Sequence, residues 1–251
     1  DTKIFLNDSL LLGNLKNPLY INTNNHKFQL IVYNSKRKSF LNNIFFTDNI
    51  NGFENVNDLI TGVITFYNAD VEINNFNSEH NLSEDLINCV RSDIKMRNIN
   101  IKNSSSDAID FDFCNVDLKE IKIFEPNGDG LDFSFTTGKI NKAQITKSAD
   151  KGISIGENSI ININDIYLEN NKIGIAVKDG SFLNGELIGL EKNTYDILSY
   201  NKKKEFKNTS TYLENIISNK KPKIFNENNH IININDIYID NKNIEFDQFK
   251  Q

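Results

Sequence analysis

Along the middle of this chain apolar residues alternate with polar ones, and the whole pattern returns every 22 residues. Alternation at period two marks a strand with one buried face, because successive side chains point to opposite sides. Four segments carry it: Ala108-Ile109-Asp110-Phe111-Asp112, Gly130-Leu131-Asp132-Phe133-Ser134, Gly152-Ile153-Ser154-Ile155-Gly156 and Gly174-Ile175-Ala176-Val177-Lys178. The same step reaches back to Leu86-Ile87-Asn88-Cys89 and forward to Asp196-Ile197-Leu198-Ser199. Ile87, Ile109, Leu131, Ile153, Ile175 and Ile197 then form one inward column. Cys89, Phe111, Phe133, Ile155, Val177 and Ser199 form the next. The position before the first column is mostly Gly or Ala, as a tight corner against a neighbouring coil requires.

A second apolar series follows in each repeat. It runs Ile94, Met96, Ile99 and Ile101, then Val116, Leu118, Ile121 and Ile123, then Ile140, Ala143 and Ile145, then Ile163, Ile166 and Leu168. The last set is displaced by one residue, so one turn gains a residue and a later turn loses one. No 3.6-residue stripe accompanies these segments, and the skeleton of a leucine-rich repeat is missing. Repeats of this kind bury their apolar faces only by stacking. The expected fold is all-β: a right-handed parallel β-helix, a solenoid with coils of about 22 residues, in a single domain over 1–251. Residues 1–62 read as irregular N-terminal coils and a cap, 63–200 as regular coils, 201–222 as a loop excursion, and 223–251 as a C-terminal coil and tail.

Composition narrows the partners. The formal net charge of -6 and pI near 5.2 argue against nucleic acid, whose phosphates need a basic face. A neutral or cationic polymer fits better, or an anionic one bridged by metal. No apolar run of membrane-spanning length occurs, so no membrane insertion is expected. The chain opens on Asp1 and reads as a processed form or a piece of something longer. Cys89 and Cys114 are 25 residues apart, out of step with the repeat, and are expected to be unbridged. His26, His80 and His230 are isolated from one another. Asn is abundant, but it is interleaved with spaced Ile, Val, Leu and Phe, which argues for order.

The candidate chemistry lies on the outward positions. One column reads Asn88, Asp110, Asp132, Ser154, Ala176, and the next Val90, Asp112, Ser134, Gly156, Lys178. A corner column reads Asp107, Asp129, Lys151, Ile173, with Asp150, Glu157 and Asp179 close by. Asp110 and Asp132 on adjacent strands would sit about 4.8 Å apart. Two charges at that distance repel by roughly 3.5 kcal/mol at an effective dielectric of 20. A shared proton, a bound cation or an ammonium must offset this. Paired carboxylates serve sugar hydrolysis, and oxygen ligands hold calcium, for which Asp110, Asp112 and Asp132 are the candidate set. The structural alternative is that these acids cap turns through local hydrogen bonds. Phe111 and Phe133 belong to the core, while Phe113 and Phe135 fall either in the core or at a turn.

The succession Ser-Asp-Ala-Ile-Asp, Gly-Asp-Gly-Leu-Asp, Lys-Gly-Ile-Ser-Ile-Gly and Gly-Ile-Ala-Val-Lys resembles the pectin-lyase-like β-helix superfamily, and within it the polygalacturonase family of glycoside hydrolases. The resemblance covers about residues 84–200 and implies a catalytic set in which Asp107, Asp129 and Lys178 match family positions. Gly128 stands where the family has its first paired acid, Lys151 where it has a histidine, and Ala176 where it has an arginine that grips the substrate carboxylate. A looser resemblance, extending through Asn-Lys-Lys-Lys-Glu-Phe at 201–206, is to β-helix modules of bacterial surface proteins, some joined to CotH-type kinase-like domains. Two functions are therefore expected. The first is a module engaging a polysaccharide or surface glycan through its acidic face, with Asp110, Asp132, Lys151, Glu157 and Asp179 as substrate-binding residues; if it is an enzyme, it is a glycoside hydrolase or polysaccharide lyase. The second is a non-catalytic structural or adhesion module of a larger bacterial surface protein. Either places the chain at the cell surface or outside the cell. No cofactor is required by this reading, and calcium is the one that the acids would suit.

Overall fold

The computed structural model describes residues 1–53, 60–239, 244 and 246–250. It is a parallel β-solenoid. One sheet, of ten strands among the described residues, stacks Thr2–Leu6, Phe28–Tyr33, Gly62–Tyr67, Asp85–Val90, Asp107–Asp112, Leu131–Ser134, Lys151–Gly156, Ile173–Lys178, Tyr195–Tyr200 and Ile224–Asn226. A second, facing sheet runs from Leu11–Gly13 to Ile231–Ile234 through longer strands such as Asp93–Lys102, Asn115–Phe124 and Thr137–Thr146. A short third side pairs Asn49–Ile50 with His80–Asn81. All of these pairings are parallel; the last strand, Ile237–Tyr238, folds back antiparallel onto Ile231–Ile234.

The 22-residue register is realised in the first sheet. Ile87 pairs with Ile109, Ile109 with Leu131, Leu131 with Ile153, Ile153 with Ile175, and Ile175 with Ile197. These six are fully buried, as are Phe111 and Phe133, whose rings stack at 5.1 Å and 8°. The shift of one residue in the second sheet also has its cause. Thr137 pairs with Ile160, 23 residues on, because the turn at Glu157–Asn158 takes two left-handed residues in succession. The step returns to 22 between Lys151 and Ile173, after a shorter turn.

The corners explain the small residues and the asparagines. A Cβ on Gly130, Gly152 or Gly174 would lie 2.6–2.8 Å from a carbonyl oxygen of the next coil. Asn43, Asn75 and Asn98 adopt left-handed φ values of 55°, 56° and 54°, a conformation that Asn tolerates better than most residues. Their side-chain amides hydrogen-bond in a ladder at 2.8 Å per step. Cys89 and Cys114 are both free and buried.

Two stretches sharpen the expected layout. Thr2–Leu6 pairs in parallel with Phe28–Tyr33, so within 1–62, expected to hold irregular coils and a cap, a coil strand begins at residue 2. Within 201–222, Ser210–Leu213 rejoins the second sheet against Phe182–Gly185, so the excursion shortens to about 201–209. Alternation in Thr209-Ser210-Thr211-Tyr212-Leu213 is carried by polar residues, and that weakens its strand signal.

Candidate functional site

The outer face of the first sheet is not an open, solvated surface. Along its central column Ile31, Thr65 and Asn88 are buried, as are Ser154, Ala176 and Leu198. Asp110 and Asp132, between these two runs, are half-buried, and so are Asp112 and Ser134 in the neighbouring column. The expected exposed acidic stripe is thus a short cleft in an otherwise covered face. Outer positions are apolar at Ala176 and Leu198, where Phe246 and Phe249 cover them.

The corner acids come from one strand start repeated. Asp107 Oδ1 accepts the backbone N–H of Asp129 at 2.6 Å, and Asp129 Oδ1 accepts that of Lys151 at 2.9 Å. Each acid therefore caps the next coil, which is the structural role that their position allowed. Lys151 Nζ lies 3.3 Å from Asp129 Oδ1 and also binds Asp150, which Lys172 contacts at 3.2 Å. Asp107, Asp129 and Asp132 converge: one oxygen from each lies within 4.8 Å of the other two.

Gly128 shapes this convergence. A Cβ there would stand 2.0 Å from Asp107 Oδ1. A residue with a side chain at 128 would push the Asp107 carboxyl off the Asp129 amide. The position that looked like a missing acid is therefore the space that Asp107 occupies.

Burial governs the protonation of these groups. Asp107 is pushed up to about 8 by burial and by the Asp129 carboxylate beside it. Asp129 reaches only about 6: burial and Asp132 raise it, while Lys151 and Lys178 pull it back. Burial, then Asp112, holds Asp110 well above the carboxylate range, and burial with Asp132 lifts Asp112 to about 6. Burial also raises Asp85, 4% exposed, to about 7. Asp150 goes the other way, because Lys151 and Lys172 outweigh its burial. For the buried Lys178, burial acts downward, but Asp132 and Asp129 outweigh it and leave the ammonium above its usual value. The Lys178 chain crosses over Gly156, where a Cβ would meet its Cε at 3.3 Å.

Of the sequence-predicted residues, the structure brings together Asp107, Asp129, Asp132, Lys151 and Lys178. It separates others. Asp110 turns toward Asn88, whose Nδ2 donates to Asp110 Oδ2 at 3.1 Å. Of the grouping Asp110, Asp112 and Asp132 as cation ligands, only Asp132 joins the three converging acids. Glu157 accepts from Ser134 Oγ and pairs with Lys203 Nζ, both at 2.7 Å. The buried Asp179 accepts the Lys203 backbone N–H at 2.7 Å. These two acids anchor the 201–209 excursion to the flank of the cleft. Phe113 and Phe135 lie at the turn, both with left-handed φ, and stack at 4.6 Å and 2°. Arg91 covers the outer face of Phe113, and Phe206 leans on Phe135, so the exposed parts of these rings are mostly edges. Flat stacking of a sugar on them is therefore unfavourable.

Two features escaped the sequence reading. Asp85 lies 22 residues before Asp107 and was detectable by the same step. The second is that three of the eleven buried side-chain oxygens without a hydrogen-bond partner among the described residues, Asn88 Oδ1, Asp132 Oδ1 and Ser154 Oγ, fall in one outer column. Compared with known proteins, the chain matches no family model, no curated protein and no solved structure.

Proposed function

We propose that this β-solenoid is a glycan-binding module, acting at a cell surface or outside the cell, whose cleft at Asp107, Asp129 and Asp132 holds a neutral or amine-bearing sugar. The observation that carries the reading is the convergence of Asp107, Asp129 and the half-buried Asp132, with Lys151 beside them. Sugar hydroxyls both donate and accept, so they suit the half-buried Asp132 as an acceptor beside Asp107, a carboxyl that burial inclines to keep its proton. An amine would add a favourable charge toward Asp132.

Uronic acids fit poorly. Carboxylates outnumber the ammonium groups here, and Ala176, matched to the arginine that would grip a uronate, is sealed from solvent. The proposed activity is binding more than hydrolysis, because Asp107 and Asp129 each commit an oxygen to a backbone amide of the next coil. Resident calcium is also a poor fit, since Lys151 and Lys178 already supply two positive charges at the acids.

Calorimetry and affinity retention on β-1,4-glucosamine oligomers, a neutral glucan and homogalacturonan test this reading. Binding to the first or second is expected, with little to the third. Asp132→Asn should weaken binding about tenfold, or about 1.4 kcal/mol, at unchanged melting temperature. Absence of binding across the panel, or robust cleavage of homogalacturonan, would overturn it.

A second reading, a structural or adhesion module, draws on the first coil. Thr2–Leu6 is a sheet edge with exposed Phe5, and Leu11, Leu15 and Tyr20 are exposed nearby. Such an edge offers pairing to a further strand.

A further inference from the structure

We infer that the cleft receives the end of a glycan chain and not the interior of a long polymer. The inference rests on the glycan reading and comes from what closes the outer face on either side of the acids. Phe246 and Phe249, in a short 3-10 turn near the C-terminus, pack on Ile173, Ala176, Leu198 and Tyr200 to form an apolar cluster separate from the interior core. Tyr200 donates its hydroxyl to the Phe249 carbonyl at 3.3 Å, and the Tyr195 ring meets Phe249 edge-on at 5.1 Å. Lys250 pairs with Glu227 at 2.6 Å and ties the same segment to the coil beyond. The C-terminal segment therefore lies on the outer column itself, across the line that a polymer would follow along the solenoid axis.

Strand spacing sets the room that is left. Ala176 is two strands from Asp132, so the wall stands about 10 Å away along the axis. Ser154 between them is buried, and Lys178 crosses the adjacent column. In the other direction Asn88 is also two strands from Asp132, and Asn88, Thr65 and Ile31 are buried in succession. The Lys203–Glu157 pair and the Phe135–Phe206 contact bound one flank. A polymer interior needs an exit at both ends of its site; this cleft, walled by Phe246 and Phe249 at one end, suits a terminal sugar.

The test uses the intact chain and a ladder of β-1,4-glucosamine oligomers of increasing length, read by calorimetric stoichiometry. A terminal site predicts a fixed number of proteins per oligomer whatever its length. Stoichiometry rising in proportion to length would overturn the inference while leaving the glycan reading standing. No binding to any member, with none to a neutral glucan ladder, would overturn both. A chain ending at Ile239 supplies the second arm. If it stays folded, by melting temperature and circular dichroism, its stoichiometry should turn length-dependent; unchanged stoichiometry in the folded, shortened chain would count against the C-terminal wall. If the shortened chain does not fold, the ladder on the intact chain decides alone.

Discussion

The inner and outer columns of one sheet are built on the same strands, in the same register, and behave in opposite ways. Inward, Ile109, Leu131, Ile153 and Ile175 stack like on like, and each contact removes apolar surface from water. Outward, Asn88, Asp110, Asp132 and Ser154 stack by the same rule, and the two acids meet at a distance where their charges repel. The register is indifferent to chemistry. Apolar columns turn it into stability, whereas the acidic column needs protons and two lysines to coexist with it. Neutral polar residues would stack there without the repulsion, and that is why the proposed site is placed at the acids.

The largest effect expected on this contrast comes from the inner column. Leu131→Ala should destabilise by about 2–5 kcal/mol in denaturant titration, through lost transfer energy and an unfilled cavity. A shift too small to resolve would mean that the column is not close-packed.

Gly128→Ala probes the seam between the two faces. Its Cβ would collide with Asp107 Oδ1, so a loss of about 1–3 kcal/mol is expected, in the range for overpacked sites. Glycan affinity should fall with it. Wild-type stability and affinity in this variant would show that Asp107 has other room to occupy.

The outer column should reveal itself through pH. Asp85, Asp107, Asp112 and Asp129 have folded pKa values of about 7, 8, 6 and 6, all above the unfolded 3.8. The folded state therefore holds protons that the unfolded chain has released. That stabilisation is complete below about pH 4 and fades as pH rises through 6 to 8, each unit of displacement being worth about 1.4 kcal/mol. Asp150, with its lowered pKa, works in the opposite sense and only at the acid end. Melting temperature should thus fall from pH 5 to pH 8, and Asp107→Asn should flatten the upper part of that slope. A melting temperature that rises across this range would mean that the acids are solvated and ionised.

Calcium should have the smallest effect. At millimolar concentration it is expected to stabilise by less than about 0.4 kcal/mol, the linkage value for a ligand present at its Kd. A thermal shift of several degrees would instead make the three converging acids a cation site and displace Lys151 from Asp129.

Much of this was legible beforehand in the 22-residue step. Ile109 and Leu131 could be placed inside, and Ala108, Gly130, Gly152 and Gly174 at a corner, because a solenoid copies local conformation from coil to coil. The displacement near Ile160 was legible as well, and the structure puts the added residue at Glu157–Asn158. Asp85 was equally readable, since it obeys the same step. The choice of converging acids was not: Asp107 rather than Asp110 joins Asp132, because Gly128 leaves room for one carboxyl while Asn88 draws the other away.

By itself, then, the sequence determined the repeat, the inward columns and the coincidence of acids on one outer face. These follow from short-range periodicity, which needs no knowledge of distant residues. The tertiary structure alone decided that this face is a cleft. Phe246 and Phe249 belong to no repeat, and they reach Ala176 and Leu198 only through folding. Whether an outward aspartate is solvated or buried depends on what lies above it. Beside the acids, Ala176 is covered by Phe246 and Phe249, some seventy positions along the chain, brought there by burial of apolar surface and not by any local pattern.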